Sequence, residues 1–286
     1  MNLCDLKTIE NLLGRHGFHF SKSMGQNFLV EDWVPQQIAA ASGADEGCAV
    51  LEIGPGIGPL TQQLCRRAGK VLSVELDKAL LPILGETMAE FSNFTLVNND
   101  IMKVNIPQLV DEEFQGLTPL VCANLPYNIT TPVLTALVEC KRFASITVLI
   151  QKEVAQRICA KPGSADYGAF SLLMQYYTQP ELCFEVPNTC FVPRPKVTSA
   201  VVHCPARKTP PVEVPSEDFF FRTVRAGFAL RRKTLLNSLG SGFSQLSKTQ
   251  LAEAIESCGL PADIRGERLG LEEYAALSRA LWALLH

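Results

Sequence analysis

The residues best suited to chemistry in this 286-residue chain are Asn124-Leu125-Pro126-Tyr127. They follow the apolar run Pro119-Leu120-Val121-Cys122-Ala123, which reads as a buried strand, and precede Ile129-Thr130-Thr131-Pro132, which opens a helix. A polar amide, a rigid proline and an aromatic ring are thus presented together at the carboxyl end of a strand, where open α/β sheets bind ligands. The group suits a flat ring bearing an exocyclic amine. The Asn124 side-chain oxygen and the Pro126 carbonyl accept the two amino hydrogens, and Tyr127 stacks on the ring face. Taken alone, the tetrapeptide is better explained as a strand and a turn with Tyr127 as packing, so its meaning depends on the rest of the chain.

Three further groups sit at strand ends. Glu52-Ile53-Gly54-Pro55-Gly56-Ile57-Gly58 closes one strand and opens a helix, and glycines at such a turn let the backbone approach a ligand closely. The Gly-x-Gly-x-Gly spacing departs from the dinucleotide fingerprint Gly-x-Gly-x-x-Gly, and no phosphate-binding lysine follows it. The next strand ends at Glu75, 21 residues after Gly54, an offset at which a carboxylate accepts both hydroxyls of a ribose. A third strand ends at Asn98-Asn99-Asp100, where Asp100 meets an adenine amino group. Gly54, Gly56, Glu75 and Asp100 together fit an adenosine-bearing cofactor without a pyrophosphate, and S-adenosylmethionine fits best.

These groups need a sheet to align them. Strand-like runs at Ala49–Ile53, Lys70–Glu75, Phe94–Val97, Pro119–Ala123 and Ser145–Ile150 alternate with helical stretches such as Leu60–Ala68 and Lys78–Glu90. That alternation implies a mainly parallel α/β sheet with helices on both faces. Two later runs, Leu182–Val186 and Val197–Cys204, suggest an antiparallel hairpin at one edge. The proline-rich stretch Cys204–Pro215 reads as a linker. Beyond it the pattern is helical: Glu217–Leu230, Lys233–Leu239, Lys248–Ser257 and Glu272–Leu285, with Ser247 as an N-cap and Gly259 with Pro261 as a stop. The expected domains are residues 1–206, a sheet domain, and 207–286, a small all-helical domain.

Composition narrows the class. Apolar residues at 47% and charged residues at 19% describe a soluble globular protein. No apolar run approaches the ~18 residues of a membrane span, and the N-terminus lacks the blocks of a signal or transit peptide, so the cytoplasm is the expected compartment. Ten cysteines contain no Cys-x-x-Cys pair and only four histidines are present, which gives no zinc spacing and no expected metal site. The net charge of −3 is unevenly spread. Residues 1–150 carry 10 Lys/Arg against 16 Asp/Glu, whereas residues 187–233 carry 9 against 3. A basic belt on an acidic body is a workable footprint for a phosphate backbone, although a solvated charged face explains it equally well.

Read in order, these motifs resemble the KsgA/RsmA-type small-subunit ribosomal RNA adenine N6,N6-dimethyltransferases nearly end to end. Lys22-Ser23-Met24-Gly25-Gln26-Asn27-Phe28-Leu29 is similar to the family's N-terminal Gly-Gln-Asn-Phe-Leu segment, which lies over S-adenosylmethionine. Further matches are Gln151-Lys152-Glu153-Val154-Ala155, Phe191-Val192-Pro193-Arg194-Pro195-Lys196-Val197 and Arg231-Arg232-Lys233-Thr234-Leu235-Leu236-Asn237-Ser238-Leu239. The resemblance implies a Rossmann-like class I methyltransferase domain followed by an RNA-facing helical domain. It implies cofactor contacts from Asn27, Leu29, Gly54, Gly56, Glu75, Asp100 and Asn124. It implies catalysis by Asn124, Pro126 and Tyr127, with Phe191 on the other face of the target adenine. RNA contacts are expected from Lys22, Arg194, Lys196, Arg225, Arg231, Arg232 and Lys233, on an assembling small subunit, by a protein that is a monomer by default.

Accepting both amino hydrogens favours pyramidalisation of a nitrogen whose lone pair is otherwise delocalised into the ring. Extracting the base costs a few kcal/mol, less from a loop than from a duplex. Alternatives remain. They are the related resistance methylases of large-subunit RNA, a DNA adenine methyltransferase, a non-catalytic ribosome-assembly factor on the same fold and, more distantly, an NAD-dependent oxidoreductase.

Overall fold

Aliphatic runs of five to seven residues build the sheet. The computed structural model describes residues 1–20 and 25–286. In chain order the strands are β1 (Phe28–Leu29), β2 (Cys48–Ile53), β3 (Lys70–Glu75), β4 (Phe94–Asn98), β5 (Thr118–Asn124), β6 (Ser145–Gln151), β7 (Glu181–Val186), β8 (Phe191–Val192) and β9 (Ser199–Pro205). Among the described residues, seven of these form one sheet in the order β4-β3-β2-β5-β6-β9-β7, while β1 pairs with β8. Strands β2 to β6 run parallel, and β9 is antiparallel to both β6 and β7. The expected antiparallel edge hairpin is therefore present.

The chain winds outward from β2 through β3 to β4, then returns to place β5 on the other side of β2. This reversal opens a crevice at the carboxyl ends of β2 and β5, the switch point at which such sheets bind ligands. All six residues of β2 are buried, as expected for a central parallel strand covered on both faces.

The helices are α1 (Leu6–Arg15), α2 (Trp33–Ala41), α3 (Pro59–Cys65), α4 (Leu81–Thr87), α5 (Ile106–Glu113), α6 (Thr130–Glu139), α7 (Lys152–Cys159), α8 (Ala169–Tyr177), α9 (Glu217–Phe228), α10 (Leu235–Gly242), α11 (Lys248–Ser257) and α12 (Leu271–Leu285). Pro59 at the first position of α3 loses no hydrogen bond, because the first N–H groups of a helix are unpaired. Ser247 caps α11 as expected: its hydroxyl accepts from the Gln250 N–H at 3.2 Å, and the Gln250 side chain accepts from the Ser247 N–H at 2.9 Å. Gly259 then ends that helix with φ +71°.

The chain forms two units, residues 1–155 with 180–206, and residues 156–179 with 207–286. A single cut at 206/207 does not describe this, because the stretch 156–179 belongs with the C-terminal helices. The reason is aromatic packing. Tyr176 of α8 lies 5.2 Å, ring to ring, from both Phe220 and Phe221 of α9, and Leu172 and Tyr167 are buried in the same core. Within that unit Gly227 is required by close approach, since a Cβ there would overlap the Tyr274 hydroxyl, which donates to the Gly266 carbonyl at 3.1 Å.

Candidate active site

The turn after β2 needs backbone that only glycine adopts readily: Gly54, Gly56 and Gly58 have φ of +68°, +62° and +97°. It is wedged between two side chains. A methyl on Gly56 would stand 3.3 Å from the Phe28 ring, and one on Gly54 3.7 Å from Pro126. At the end of β3, Glu75 is buried and accepts from the Asp77 N–H at 2.8 Å. Burial pushes the Glu75 carboxyl up, and backbone N–H groups of Asp77, Gly56 and Leu76 partly offset that. After β4, Asp100 caps a 3₁₀ turn over 101–103, accepting from the Met102 N–H at 3.0 Å. Leu76 and Ile101 line the space between these carboxylates.

Asn124 ends β5 beside the turn. Its amide nitrogen donates to the Asn27 carbonyl at 3.4 Å, a long bond that leaves its oxygen with no described donor. The Asn27 amide in turn donates to the Gly25 carbonyl at 3.0 Å. The Pro126 carbonyl accepts from the Ile129 N–H at 3.2 Å and the Thr130 hydroxyl at 3.1 Å, which fills both its lone pairs and contradicts its expected use as an acceptor for substrate. Helix α6 starts here, and its unpaired N-terminal donors take that oxygen. The neighbouring Leu125 carbonyl accepts no hydrogen bond among the described residues. The Tyr127 hydroxyl lies 2.7 Å from the Ser199 hydroxyl, and burial pushes its phenol up.

Asn27, Leu29, Gly54, Gly56, Glu75, Asp100 and Asn124 all border one cavity of about 170 Å³, with Pro126 and Tyr127 in its wall. Phe191 is not brought there: it is 1% exposed, packed in the core of the sheet unit and paired through β8 with Leu29. Its ring therefore offers no face to a base in this arrangement.

Leu76 and Ile101 were not among the site residues of the sequence reading, and neither were two further lining residues, Phe28 and Glu52. Phe28 packs against Gly56 and the rings of Phe18 and Phe20. Glu52, fully buried, accepts from the hydroxyls of Ser73 at 2.6 Å and Thr61 at 2.8 Å. Burial raises the Glu52 carboxyl to about 7 despite those bonds. The first residue of the Glu-x-Gly-x-Gly-x-Gly run was the available signal for Glu52. For Phe28 the signal was its place in the N-terminal motif.

A model of the family described as "Ribosomal RNA adenine dimethylase" matches residues 17–261. The chain belongs to this family. It is 43% identical over 276 residues to "Ribosomal RNA small subunit methyltransferase A" of Alkaliphilus oremlandii, covering 96% of each chain. It is 45% identical over 283 residues to the protein of the same name from Bacillus mycoides, covering 97% of this chain and 96% of that one. The fold is shared with a dimethyladenosine transferase from Plasmodium falciparum, at TM-score 0.72 and 22% identity over 87% of this chain and 95% of that one. It is shared also with the 23S rRNA methyltransferase ErmE, at 0.68 and 24% over 89% and 99%. The Rossmann-like methyltransferase fold with a helical C-terminal region is thus that of the chain, and a family of methyltransferases requires a methyl donor.

The basic residues divide. Arg194, Lys196, Arg225, Arg232 and Lys233 are exposed. Arg231 is also exposed, but its guanidinium pairs with Glu267 at 3.3 Å and donates to the Ala165 carbonyl. Lys22 lies outside the described residues. No helix among the described residues is long and apolar enough to cross a membrane.

Proposed function

We propose that this chain transfers methyl groups from S-adenosylmethionine to the N6 amino groups of two adjacent adenosines near the 3′ end of small-subunit (16S) ribosomal RNA, giving N6,N6-dimethyladenosine. The observation that carries the reading is that the Asn124 acceptor, the glycine turn and the carboxylates of Glu75 and Asp100 border one cavity at the switch point of the sheet. The relatives' names, small-subunit ribosomal RNA methyltransferases, support it.

S-adenosylmethionine, when bound, supplies an electrophilic methyl on a sulfonium. The chain's part is mostly positioning. Glu75 accepts the ribose hydroxyls, Asp100 the cofactor's adenine amino group, and Leu76 with Ile101 flanks the adenine plane. Gly54 and Gly56 let the backbone come close, while Asn27 and Leu29 form the wall opposite. The fit is supported by the Glu75 carboxylate, which borders the cavity, is oriented by backbone N–H groups and is an acceptor of the kind a pair of ribose hydroxyls needs.

On the substrate side, Asn124 Oδ1 accepts one amino hydrogen of the target adenine. With the Pro126 oxygen already committed, the Leu125 carbonyl takes the other, and Pro126 acts by fixing φ in the turn. The Tyr127 ring stacks on the base and attracts the positive charge that passes to the amine. No general base is needed, because an alkylated amino group is acidic enough to release its proton to water. Phe191 supports the wall through its pairing with Leu29. Arg194, Lys196, Arg225, Arg232 and Lys233 contact phosphates, and the acting form is a monomer on an assembling subunit in the cytoplasm.

The test is transfer of labelled methyl to immature small subunits, with large-subunit RNA and DNA offered in parallel, followed by nucleoside analysis. Labelled dimethyladenosine in small-subunit RNA is the expected product. Label confined to large-subunit RNA, or to DNA, would replace this reading by one of its rivals, and binding to subunits without transfer would favour an assembly factor.

A further inference from the structure

Tyr127 is carried by the loop between β5 and α6, and the far end of its side chain is anchored. Its hydroxyl meets the Ser199 hydroxyl at 2.7 Å, across 72 residues of sequence. Ser199 is the first residue of β9 and is fully buried. Its backbone is paired on one side with Gln151 of β6 and on the other with Val186 of β7. The carbonyl of the preceding Thr198 accepts from the Lys152 N–H at 3.0 Å. Ser199 is therefore a hydroxyl on rigid scaffold, with a strand on each side, and it reaches a ring on a loop. A hydroxyl pair at that distance is a well-formed hydrogen bond.

We propose that Ser199 is a positioning residue for methyl transfer: by holding the Tyr127 hydroxyl it fixes the ring face against which the target base stacks. The proposal rests on the reading of Tyr127 as that stacking partner. A ring attached only at its Cβ swings about two torsions; a second attachment at the hydroxyl removes most of that freedom before substrate arrives, so less is lost on binding. Because β9 is also the strand that follows the Pro193–Lys196 segment, the sheet edge that the hairpin builds serves the site directly.

The test is a double-mutant cycle in the full chain. Ser199→Ala is expected to lower kcat about 10-fold, the effect of one ordinary hydrogen bond, with affinity for S-adenosylmethionine within two-fold of wild type. Tyr127→Phe should lose a similar amount, and the double variant should fall no further than the weaker single variant. Multiplying losses, or full kcat in either single variant, would overturn the proposal. Tyr127→Phe, at a half-buried loop position, keeps the test alive if Ser199→Ala fails to fold. A second arm needs no substrate: a crystal structure of free Ser199→Ala is expected to show the Tyr127 ring in more than one conformer, and an unmoved single ring overturns the proposal whatever the activity. Failure of the wild-type protein to methylate RNA would instead strike the proposed function and leave this arm standing.

Discussion

Replacing Glu52 by Gln isolates the cost of a carboxylate buried beneath the glycine turn. Glu52 rises from an ordinary 4.5 to about 7, first because burial disfavours its charged form and further because Glu75 is close. The folded state thus holds the proton more tightly than the unfolded chain. The stability this contributes is fully present below pH 4.5 and is lost as pH rises through about 7. A shift of that size corresponds to roughly 3 kcal/mol. Gln keeps an oxygen for the Ser73 and Thr61 hydroxyls but does not titrate, so its stability has no such slope. Subtracting wild-type from variant stability cancels the other titrating groups, and the difference should climb by about 3 kcal/mol between pH 4.5 and 8. Urea unfolding at half-unit pH steps measures it. Trp33 fluorescence in a Trp282→Phe background reports on the sheet unit alone. A difference that stays flat across that range would refute the buried, proton-holding carboxylate.

Other outcomes follow from the same geometry. Asn124→Ala should leave S-adenosylmethionine affinity within a few-fold but reduce transfer about 100-fold, the scale of a misplaced reactant; near-normal turnover in the labelled-methyl assay would remove the amino-group clamp. Gly56→Ala forces an L side chain to φ +62° and sets a methyl 3.3 Å from Phe28. It should destabilise by about 1–2 kcal/mol and weaken donor binding measured by calorimetry, whereas unchanged affinity would mean that the turn does not touch the donor. Reversing Arg225, Arg232 and Lys233 together should weaken RNA binding and flatten its salt dependence by about 0.7–0.9 per lost phosphate contact. An unchanged slope in titrations at several salt concentrations would take these residues out of the interface. Arg231 is left out of that variant because its ion pair with Glu267 would confound the result.

Much of the site was legible because its motifs are local. Each group proposed to act in catalysis or to face the cofactor sits within a few residues of a strand end, and parallel strands joined by helices all end at one edge. Once Cys48–Ile53, Lys70–Glu75, Phe94–Asn98 and Thr118–Asn124 are strands, Gly54, Glu75, Asp100 and Asn124 must stand side by side. The capping of α11 by Ser247 was legible for the same reason, since its partner Gln250 is three residues away.

What the amino-acid pattern by itself determined is therefore the seven strands of the main sheet, the helices α9 to α12, the strand ends that border the cavity and the family. What only the tertiary structure decided are the partnerships between distant residues. Strands β1 and β8 are two residues each and too short for periodicity, yet their pairing buries Phe191 and turns it away from the cavity. Tyr176 draws the stretch 156–179 into the helical unit by ring packing with Phe220 and Phe221, although it lies between two strands in sequence. The Pro126 carbonyl is committed to the start of α6, and Arg231 to Glu267. The Tyr127 hydroxyl is hydrogen-bonded to a serine on β9, 72 residues away in sequence. Periodicity reports which face of an element is apolar. Which group meets which across the fold is decided by packing and by the requirement that buried polar atoms find partners, and neither has a local signature.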